Sequence, residues 1–356
     1  MKRILFISLT VLLLLILGVG AYAYYQYQQF LQQPLTLSEH NTTFTVASGS
    51  NIRQIARRLN EQAYLPQTQY LSADLLMVAY ARLSGQASQI KAGEYELNPG
   101  MTVPQVLERF VSGKTLQYAV RLIEGRNYQQ MVQTVQAQAL LEHVLSDNDY
   151  NDHQQIMTRL GSDEFDHPEG WFMPDTYYFP RGTTDEEVLK RAYKAMRDYL
   201  LQAWEKRDPN PHIRTPYEAL ILASIIEKES GVAEERPIIA RVFLNRLEKG
   251  MKLQTDPTVI YGMGEAYQGN IRKRDLKTDT PYNTYTRFGL PPTPIAMPGR
   301  EAIEAALHPT ESDYLYFVAT GEGDGRHYFS KTYQEHRKAV IQYQLNGNSR
   351  RYKGDH

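Results

Sequence analysis

The first apolar stretch of the chain is continuous rather than periodic. Residues 4–25 contain no charged side chain, and Lys2 and Arg3 stand directly before them. A helix of this length spans about 33 Å at a rise of about 1.5 Å per residue, which matches the hydrocarbon thickness of a bilayer. The pattern therefore predicts a transmembrane helix over residues 4–25. The basic residues before it place residues 1–3 in the cytoplasm as a short stub.

A cleaved signal peptide is the alternative for the same stretch. Ala21 and Ala23 flank Tyr22 in the small-x-small pattern of a cleavage site. The apolar core of a signal peptide is usually about 7–15 residues long, and this run is longer. Tyr22, Tyr24 and Tyr25 also suit the far interface of a membrane. The length favours a retained anchor, with the chain after about residue 30 on the far side of the membrane.

Beyond the anchor, apolar positions take up helical spacing in three related segments. Each has a glycine, an N-cap residue two positions later, Gln five positions later, and small or apolar residues three, six, seven and ten positions later. The glycines are Gly49, Gly100 and Gly125. A short extended stretch precedes each glycine, so each copy predicts a strand, a glycine turn and a capped amphipathic helix. A plain α/β scaffold without a ligand remains open as the role of these copies.

Residues 169–180 combine aromatic rings, prolines and carboxylates. The rings beside Asp175 and Glu169 would suit a surface on which sugars stack, with carboxylates that accept hydrogen bonds. The alternative is a rigid loop, bounded by prolines, that packs its rings into the core. Farther on, the pattern predicts an amphipathic helix from Asp185 to about Lys206, capped by Thr183 or Thr184.

One predicted helix carries the most informative acid. Thr215 and Pro216 fit the N-cap and first position of a helix that runs to about Ser230. Glu229 falls on the same face as Ile225 and Ile226, whereas Glu227 falls on a weaker face. Burial at the end of an apolar stripe raises the pKa of a carboxyl, and a neutral carboxyl near pH 7 can protonate a glycosidic oxygen. A plain salt bridge from Glu229 to Arg236 or Lys228 is the alternative.

Composition excludes several classes of function. The 356 residues include 39 Lys and Arg against 40 Asp and Glu, a net charge of −1. Phosphate contacts usually need a basic surplus, so we expect no nucleic-acid partner. Cysteine is absent, which excludes disulfides, thiolate metal sites and cysteine nucleophiles. The 9 His residues show no metal-ligand spacing. The glycine-rich segment 321–325 is typical of a hairpin loop between two strands rather than of a phosphate loop. We therefore expect no metal and no cofactor.

A family resemblance rests on long strings of sequence. The segment Leu222-Ala-Ser-Ile-Ile-Glu-Lys-Glu229-Ser230 resembles the catalytic helix of the membrane-anchored endolytic murein transglycosylases, the YceG-like (MltG) family. Upstream, Glu169-Gly-Trp-Phe-Met-Pro-Asp-Thr matches as well. Downstream, the matching strings are Val242-Phe-Leu-Asn245-Arg246-Leu, Leu253-Gln-Thr-Asp256-Pro-Thr-Val-Ile-Tyr261-Gly262, Pro281-Tyr-Asn283-Thr-Tyr285, Gly289-Leu-Pro-Pro, Ile295-Ala-Met-Pro298-Gly, Ala306-Leu-His308-Pro and Tyr314-Leu-Tyr-Phe-Val-Ala. The resemblance covers nearly the whole chain in order.

The resemblance implies an α+β fold. It places a transmembrane helix first, a small LysM-like α/β subdomain over residues 40–115, and a mixed YceG-like catalytic domain over residues 116–350 with a lysozyme-like catalytic helix. The first glycine copy, from Phe44 to about Leu59, resembles half of a LysM module, a small fold that binds N-acetylglucosamine polymers. A complete module adds a second helix and a second strand.

The resemblance also implies a lyase that cuts peptidoglycan. It would cleave the β-1,4 bond between N-acetylmuramic acid and N-acetylglucosamine within nascent strands, leave 1,6-anhydro ends and limit strand length. Glu229 matches the catalytic acid. The candidates for binding sugar or orienting Glu229 are Gln254, Asp256, Tyr261, Asn283, Tyr285, Asp175 and Tyr177. Asp256 precedes Pro257, so a turn cap is the alternative role for it.

Partners and location follow from the same resemblance. We expect peptidoglycan glycan strands as the substrate and the membrane as a partner of the N-terminal helix; peptidoglycan synthases are implied by the family alone. The expected location is the bacterial inner membrane, with one pass, a cytoplasmic N-terminus and a periplasmic catalytic domain. Two other functions remain open: a muramidase that hydrolyses the same bond, and a non-catalytic anchor that binds peptidoglycan.

Overall fold

The computed structural model describes residues 2–37 and 43–352. The chain divides into two compact units. The first comprises residues up to 118 together with 179–182, and the second comprises residues 119–178 together with the chain from residue 183. The fold is mixed α+β, as expected, with helices and three two-stranded sheets.

The first unit is built on an antiparallel pair of strands with two helices between them. Its elements are α1 (Lys2–Gln32), β1 (Thr43–Val46), α2 (Ile52–Glu61), α3 (Ala73–Leu83), β2 (Gly93–Glu96) and α4 (Val103–Ser112). In the β1–β2 pair, Phe44 lies opposite Tyr95. Both rings pack against Phe110 of α4, with ring centroids 5.7 and 4.9 Å away. This aromatic cluster lies in the core of the first unit.

Helix α1 is apolar enough to cross a membrane. The qualifying part runs from Phe6 to Gln32 and is 27 residues long, and none of its most apolar window is buried in protein. The helix continues past Tyr25, and near its end Phe30 is only 1% exposed within the core of the first unit. The last turn of α1 therefore packs into the core of the first unit.

The predicted glycine copies are confirmed. Gly49, Gly100 and Gly125 all have positive φ, between 72° and 89°, and each precedes the helix that its copy predicts. The Gln at the fifth position has a physical role, because its side chain accepts a hydrogen bond from the N-cap backbone N–H in a capping box. The distances are 2.9 Å for Gln54, 2.9 Å for Gln105 and 3.2 Å for Gln130.

The second unit contains most of the helices. Its elements are β3 (Tyr118–Leu122) and β4 (Asp175–Phe179), each of which has one end residue in the first unit, together with α5 (Tyr128–Gln136), α6 (Asp147–Asn151), α7 (His153–Leu160), α8 (Asp185–Glu205), α9 (Pro216–Glu229), α10 (Arg236–Glu248), α11 (Asp256–Met263), α12 (Lys273–Lys277), α13 (Arg300–Leu307), β5 (Tyr316–Ala319), β6 (His327–Ser330) and α14 (Tyr333–Tyr343). The predicted helices at residues 185 and 216 and the predicted C-terminal hairpin are confirmed.

The aromatic segment at residues 169–180 differs from the predicted loop. Its second half forms strand β4, which pairs with β3. Trp171, Phe172 and Phe179 are fully buried, whereas Tyr178 is exposed. The three buried rings therefore fill the core, which is the alternative that the sequence left open, and they form no surface for stacking sugars.

Helix α9 lies at the centre of the second unit and contacts α8, α10, α11 and α13. Every residue from Ala219 to Ile226 is buried, so the helix is buried on all faces rather than along one stripe. Thr215 caps its start by accepting a hydrogen bond from the Glu218 N–H at 3.1 Å. Its last residue is Glu229, and the packing of the helix fixes the position of this acid.

Candidate active site

Glu229 emerges half-buried from the end of this central helix. The pKa of Glu229 is raised to about 7, chiefly by burial; a hydrogen bond from Thr255 lowers it, and the negative charge of Asp256 raises it. The Thr255 hydroxyl donates this bond to Oε1 of Glu229. The sequence predicted the raised pKa but not the hydroxyl that contacts the acid.

The two acids of α9 lie on different faces of the helix, and they differ in their partners rather than in whether they are buried. The spacing assigned Glu227 to a weaker face, yet its side chain is also buried. Glu227 pairs with Arg236 at 3.2 Å and accepts a hydrogen bond from the Gly299 N–H at 2.9 Å. Lys228 donates to the carbonyl of Gly125. The salt bridge expected as the alternative for Glu229 is thus made by Glu227.

The segment that brings Thr255 to Glu229 is held in an unusual conformation. Gln254 has a φ of 49°, in the left-handed region that non-glycine residues rarely adopt. The guanidinium of Arg246 donates to the carbonyl of Leu253 at 2.9 Å and lies 3.4 Å from Oε1 of Gln254. Strained residues of this kind concentrate at functional sites, where the surrounding contacts maintain them.

Buried threonines surround the backbone of Thr255. Its N–H donates to the hydroxyl of Thr284 at 3.1 Å, and its carbonyl accepts from the hydroxyl of Thr258 at 2.8 Å. The hydroxyls of Thr258 and Thr284 lie 2.8 Å apart. All three threonines are buried, with Thr255 only 2% exposed.

Asp256 and Tyr285 form a direct pair beside Glu229. The Tyr285 hydroxyl donates to Asp256 Oδ1 at 2.6 Å. Burial raises the pKa of Tyr285, and the negative charges of Asp256 and Glu229 raise it further. Asp256, Tyr285 and Glu229 therefore lie within electrostatic range of one another. The structure brings these three predicted residues together.

Asn283 supports the loop that presents Tyr285. It is 1% exposed, and its amide donates to the carbonyls of Asp275, Leu276 and Thr278 at 3.2, 3.2 and 2.7 Å. Its side-chain oxygen accepts from the Tyr285 N–H at 2.9 Å. The described contacts of Asn283 are thus with the backbone.

Tyr261 lies at the other end of α11 and contacts a second buried acid. Its hydroxyl donates to Glu169 at 2.9 Å, and Glu169 also accepts from the Tyr128 N–H at 3.0 Å. Glu169 is 2% exposed, and burial raises its pKa to about 7. The sequence predicted Tyr261 as a sugar contact and did not predict its bond to Glu169.

Asp175 and Tyr177 make their hydrogen bonds and ion pairs with residues other than Glu229, Asp256 and Tyr285. Asp175 is exposed and lies 3.5 Å from Arg300, and the Tyr177 hydroxyl donates to the carbonyl of Met173 at 2.7 Å. Within the described ranges, neither residue has a hydrogen bond to Glu229 or Asp256.

Sequence reasoning also missed an acid–histidine pair. Nδ1 of His327 lies 2.8 Å from Glu235, and the charge of His327 lowers the pKa of Glu229. No sequence spacing could join these residues, because strand β6 and the turn before α10 meet only in the fold. For Arg246 a signal existed, because an arginine inside an apolar helix needs buried partners, whereas the N-cap pattern at Thr255 predicts a cap and not the contact with Glu229.

Residues 2–37 and 43–352 contain no group of three or more His, Asp or Glu side chains that could hold a metal ion. The site instead offers a half-buried carboxyl with a pKa near neutrality and a hydroxyl as its hydrogen-bond partner. This is the arrangement that general acid–base enzymes use.

Comparison with known proteins gives the family. The model of the YceG-like family matches residues 44–342, and the chain belongs to this family. It is 32% identical over 320 residues to an endolytic murein transglycosylase of Bacillus subtilis, and the match covers 86% of each protein. An endolytic murein transglycosylase of Streptococcus pneumoniae is 28% identical over 334 residues, which cover 86% of this chain and 59% of that protein.

A solved structure agrees with this assignment. A crystal structure of a YceG-like protein from Listeria monocytogenes is 33% identical to this chain and has a TM-score of 0.50. The match covers 83% of this chain and 98% of that one.

Proposed function

We propose that this protein is a membrane-anchored endolytic lytic transglycosylase of peptidoglycan. It cleaves the β-1,4 bond between N-acetylmuramic acid and N-acetylglucosamine inside nascent glycan strands and so limits their length. The proposal is supported by the family and by the relatives that are endolytic murein transglycosylases. Within the structure it rests on one observation, the half-buried Glu229 whose pKa is raised to about 7.

A single carboxyl of this kind can perform both halves of the reaction. Neutral Glu229 gives its proton to the oxygen that links the two sugars, the bond from that oxygen to C1 of N-acetylmuramic acid breaks, and N-acetylglucosamine leaves with a free hydroxyl. The Glu229 carboxylate then takes the proton of the C6 hydroxyl, whose oxygen bonds to C1 as a 1,6-anhydro sugar. Glu229 ends neutral, and no water is consumed. A pKa near the working pH serves both proton transfers.

The neighbouring polar groups fit the binding of the sugar around this acid. Asp256 and Tyr285 lie beside Glu229, and their oxygens are suited to stabilise the positive charge that develops on the sugar ring. We assign Gln254 and Tyr261 to the same groove and Asn283 to the support of its wall. Asp175 and Tyr177 remain predicted glycan contacts at a greater distance along the strand.

The first unit is proposed to be the LysM-like subdomain of residues 40–115. The order strand, helix, helix, strand in β1, α2, α3 and β2, with the strands antiparallel, supports it. The subdomain would bind glycan, and the YceG-like catalytic domain of residues 116–350 would cleave it. We also propose that α9 corresponds to the catalytic helix of a lysozyme-like domain.

The apolar helix supports an inner-membrane anchor with one pass. The basic residues at positions 2 and 3 favour a cytoplasmic N-terminus and a periplasmic catalytic domain. A cleaved signal peptide would give a soluble product instead. Peptidoglycan synthases are proposed as neighbours by family alone.

A muramidase is the second candidate, and Asp256 favours it. Hydrolases of glycosidic bonds use two carboxyls that flank the bond, and the charge of Asp256 is close enough to raise the pKa of Glu229. The products separate the two reactions, because hydrolysis leaves reducing ends and transglycosylation leaves 1,6-anhydro ends.

The test is digestion of purified sacculi by the full-length protein in detergent, with the released muropeptides identified by mass spectrometry. We expect anhydro-muropeptides from the wild type and from Glu248→Gln, an exposed control on α10, and none from Glu229→Gln. Reducing ends instead of anhydro ends would favour the muramidase. Equal digestion by wild type and Glu229→Gln, or none by either, would leave the non-catalytic anchor.

A further inference from the structure

Thr255 occupies the N-cap position of α11 but does not cap the helix. A threonine at an N-cap commonly uses its hydroxyl oxygen to accept an N–H from the first turn. Thr184, Thr215 and Thr332 do so, at 3.1, 3.1 and 3.2 Å. The Thr255 hydroxyl is directed to Glu229 instead.

The buried threonines fix the direction of this hydroxyl. A hydroxyl has one proton to donate. The hydroxyls of Thr258 and Thr284 both lie within donating distance of the carbonyl of Thr255, at 2.8 and 3.4 Å, and they lie 2.8 Å from each other. Thr284 in turn accepts the N–H of Thr255. Both backbone polar groups of Thr255 are thereby satisfied, and its hydroxyl proton is left for Glu229.

The backbone before Thr255 supports the same arrangement. The left-handed conformation of Gln254 is unfavourable for a non-glycine residue and persists only where surrounding contacts impose it. The contacts of Arg246 with the carbonyls of Lys252 and Leu253, at 3.3 and 2.9 Å, hold this turn. Three features therefore fix the position of the Thr255 hydroxyl. They are the turn at Gln254, the absence of a capping hydrogen bond at Thr255, and the hydrogen bonds among the three threonines.

We propose that Thr255 is a positioning residue that donates to Oε1 of Glu229, so that the proton exchanged with the substrate is carried on Oε2. A neutral carboxyl has one carbonyl oxygen and one hydroxyl oxygen. The oxygen that accepts from Thr255 serves as the carbonyl, and the other carries the proton. This inference rests on the proposed function, because the exchanged proton is the one that Glu229 gives to the glycosidic oxygen and takes from the C6 hydroxyl.

The direct test compares Thr255→Val with Thr255→Ser in the full-length protein. Valine keeps the shape and removes the donor, whereas serine keeps the donor. Thr158→Val is the matched control, because Thr158 is exposed on α7 and its hydroxyl contacts only its own helix. Initial rates on soluble uncrosslinked glycan strands are measured against pH.

We expect Thr255→Val to lower kcat by about 10- to 100-fold, the scale for a misplaced catalytic group, with little change in KM. The alkaline limb of kcat/KM moves to higher pH, because the lost hydrogen bond had lowered the pKa of Glu229. Thr255→Ser retains the wild-type profile. Thr258→Val, which removes part of the hydrogen bonding among the three threonines but keeps the Thr255 hydroxyl, shows a smaller change in the same direction.

A second readout needs no activity. The pH dependence of the difference in unfolding free energy between wild type and Glu229→Gln reports the titration of Glu229. Its midpoint must move to higher pH in the Thr255→Val background and stay in place with Thr255→Ser. An unchanged midpoint, or the same loss in the serine and valine variants, overturns the proposal. Failure of the proposed function is recognised separately, by wild-type protein that yields no anhydro ends.

Discussion

The guanidinium of Arg236 lies 3.2 Å from Glu227 and 2.9 Å from Glu301. Glu229, two residues beyond Glu227, has the hydroxyl of Thr255 as its hydrogen-bond partner instead. Burial raises the pKa of Glu229 to about 7. The pairing of Arg236 with Glu227 therefore separates an acid that holds the fold together from an acid that can carry a proton near neutral pH.

Glu227→Gln should cost stability, whereas Glu229→Gln should cost activity. Removing one partner of a buried, hydrogen-bonded ion pair leaves the other charge poorly satisfied, for which we expect a loss of about 2 kcal/mol in the free energy of unfolding. Glu229→Gln removes no ion pair and should leave the unfolding free energy at neutral pH unchanged or higher. Urea unfolding of both variants checks the order. A greater loss for Glu229→Gln would contradict the division of roles.

Asp256→Asn should shift the pH dependence of activity to lower pH. The charge of Asp256 raises the pKa of Glu229, so its removal lowers that pKa. The protonated form of Glu229 then disappears at lower pH, and the alkaline limb of kcat/KM moves below its wild-type position near pH 7. The exposed Asp163→Asn serves as the control. A limb that stays in place or moves upward would show that Asp256 does not act on Glu229.

Glu169→Gln should flatten the pH dependence of stability. Burial raises the pKa of folded Glu169 to about 7 from the ordinary 4.5, so the folded protein holds a proton that the unfolded chain has released. The stability associated with this proton is fully present below pH 4.5 and is lost as the pH rises to about 7, by about 3 kcal/mol in all. Unfolding measured from pH 4 to pH 8 checks this. The same slope in wild type and variant would contradict it.

Asn283→Asp should be more damaging than Asn283→Ala. The alanine variant removes the two amide protons that the three carbonyls share, which we expect to cost about 1–3 kcal/mol in the free energy of unfolding. Aspartate adds a negative charge that faces the same carbonyls. Thermal unfolding gives the order, with the exposed Asn270→Ala as the control. If both Asn283 variants unfold like wild type but lose glycan affinity, Asn283 contacts the sugar directly.

Local patterns predicted the fold well where the cause is local. The three glycine copies, the cap of α9 by Thr215 and the C-terminal hairpin all depend on residues within a few positions of one another. Strand β4 was missed because its partner, β3, lies more than 50 positions earlier in the chain. Rings beside prolines look the same in a loop and in a buried strand.

The site shows the same limit. Periodicity located Glu229 and its raised pKa, but it also assigned Glu227 to a different environment, and α9 is in fact buried all round. What distinguishes the two acids is a contact with Arg236 or with Thr255, and only the folded chain shows which partner each one meets. The family strings contained Thr255 and Arg246 without indicating what they do.

Helix α1 also determines how far the core of the first unit lies from the apolar part of the helix. It runs without a break from its apolar part into the core of the first unit, where Phe30 is buried. From Tyr25 to Phe30 a helix rises about 7.5 Å. With the apolar part in a bilayer, the helix would hold Phe30 within about 10 Å of the membrane surface. Under the proposed function, the first unit would then meet the glycan next to the membrane, and lengthening α1 by whole turns would let it meet glycan farther out.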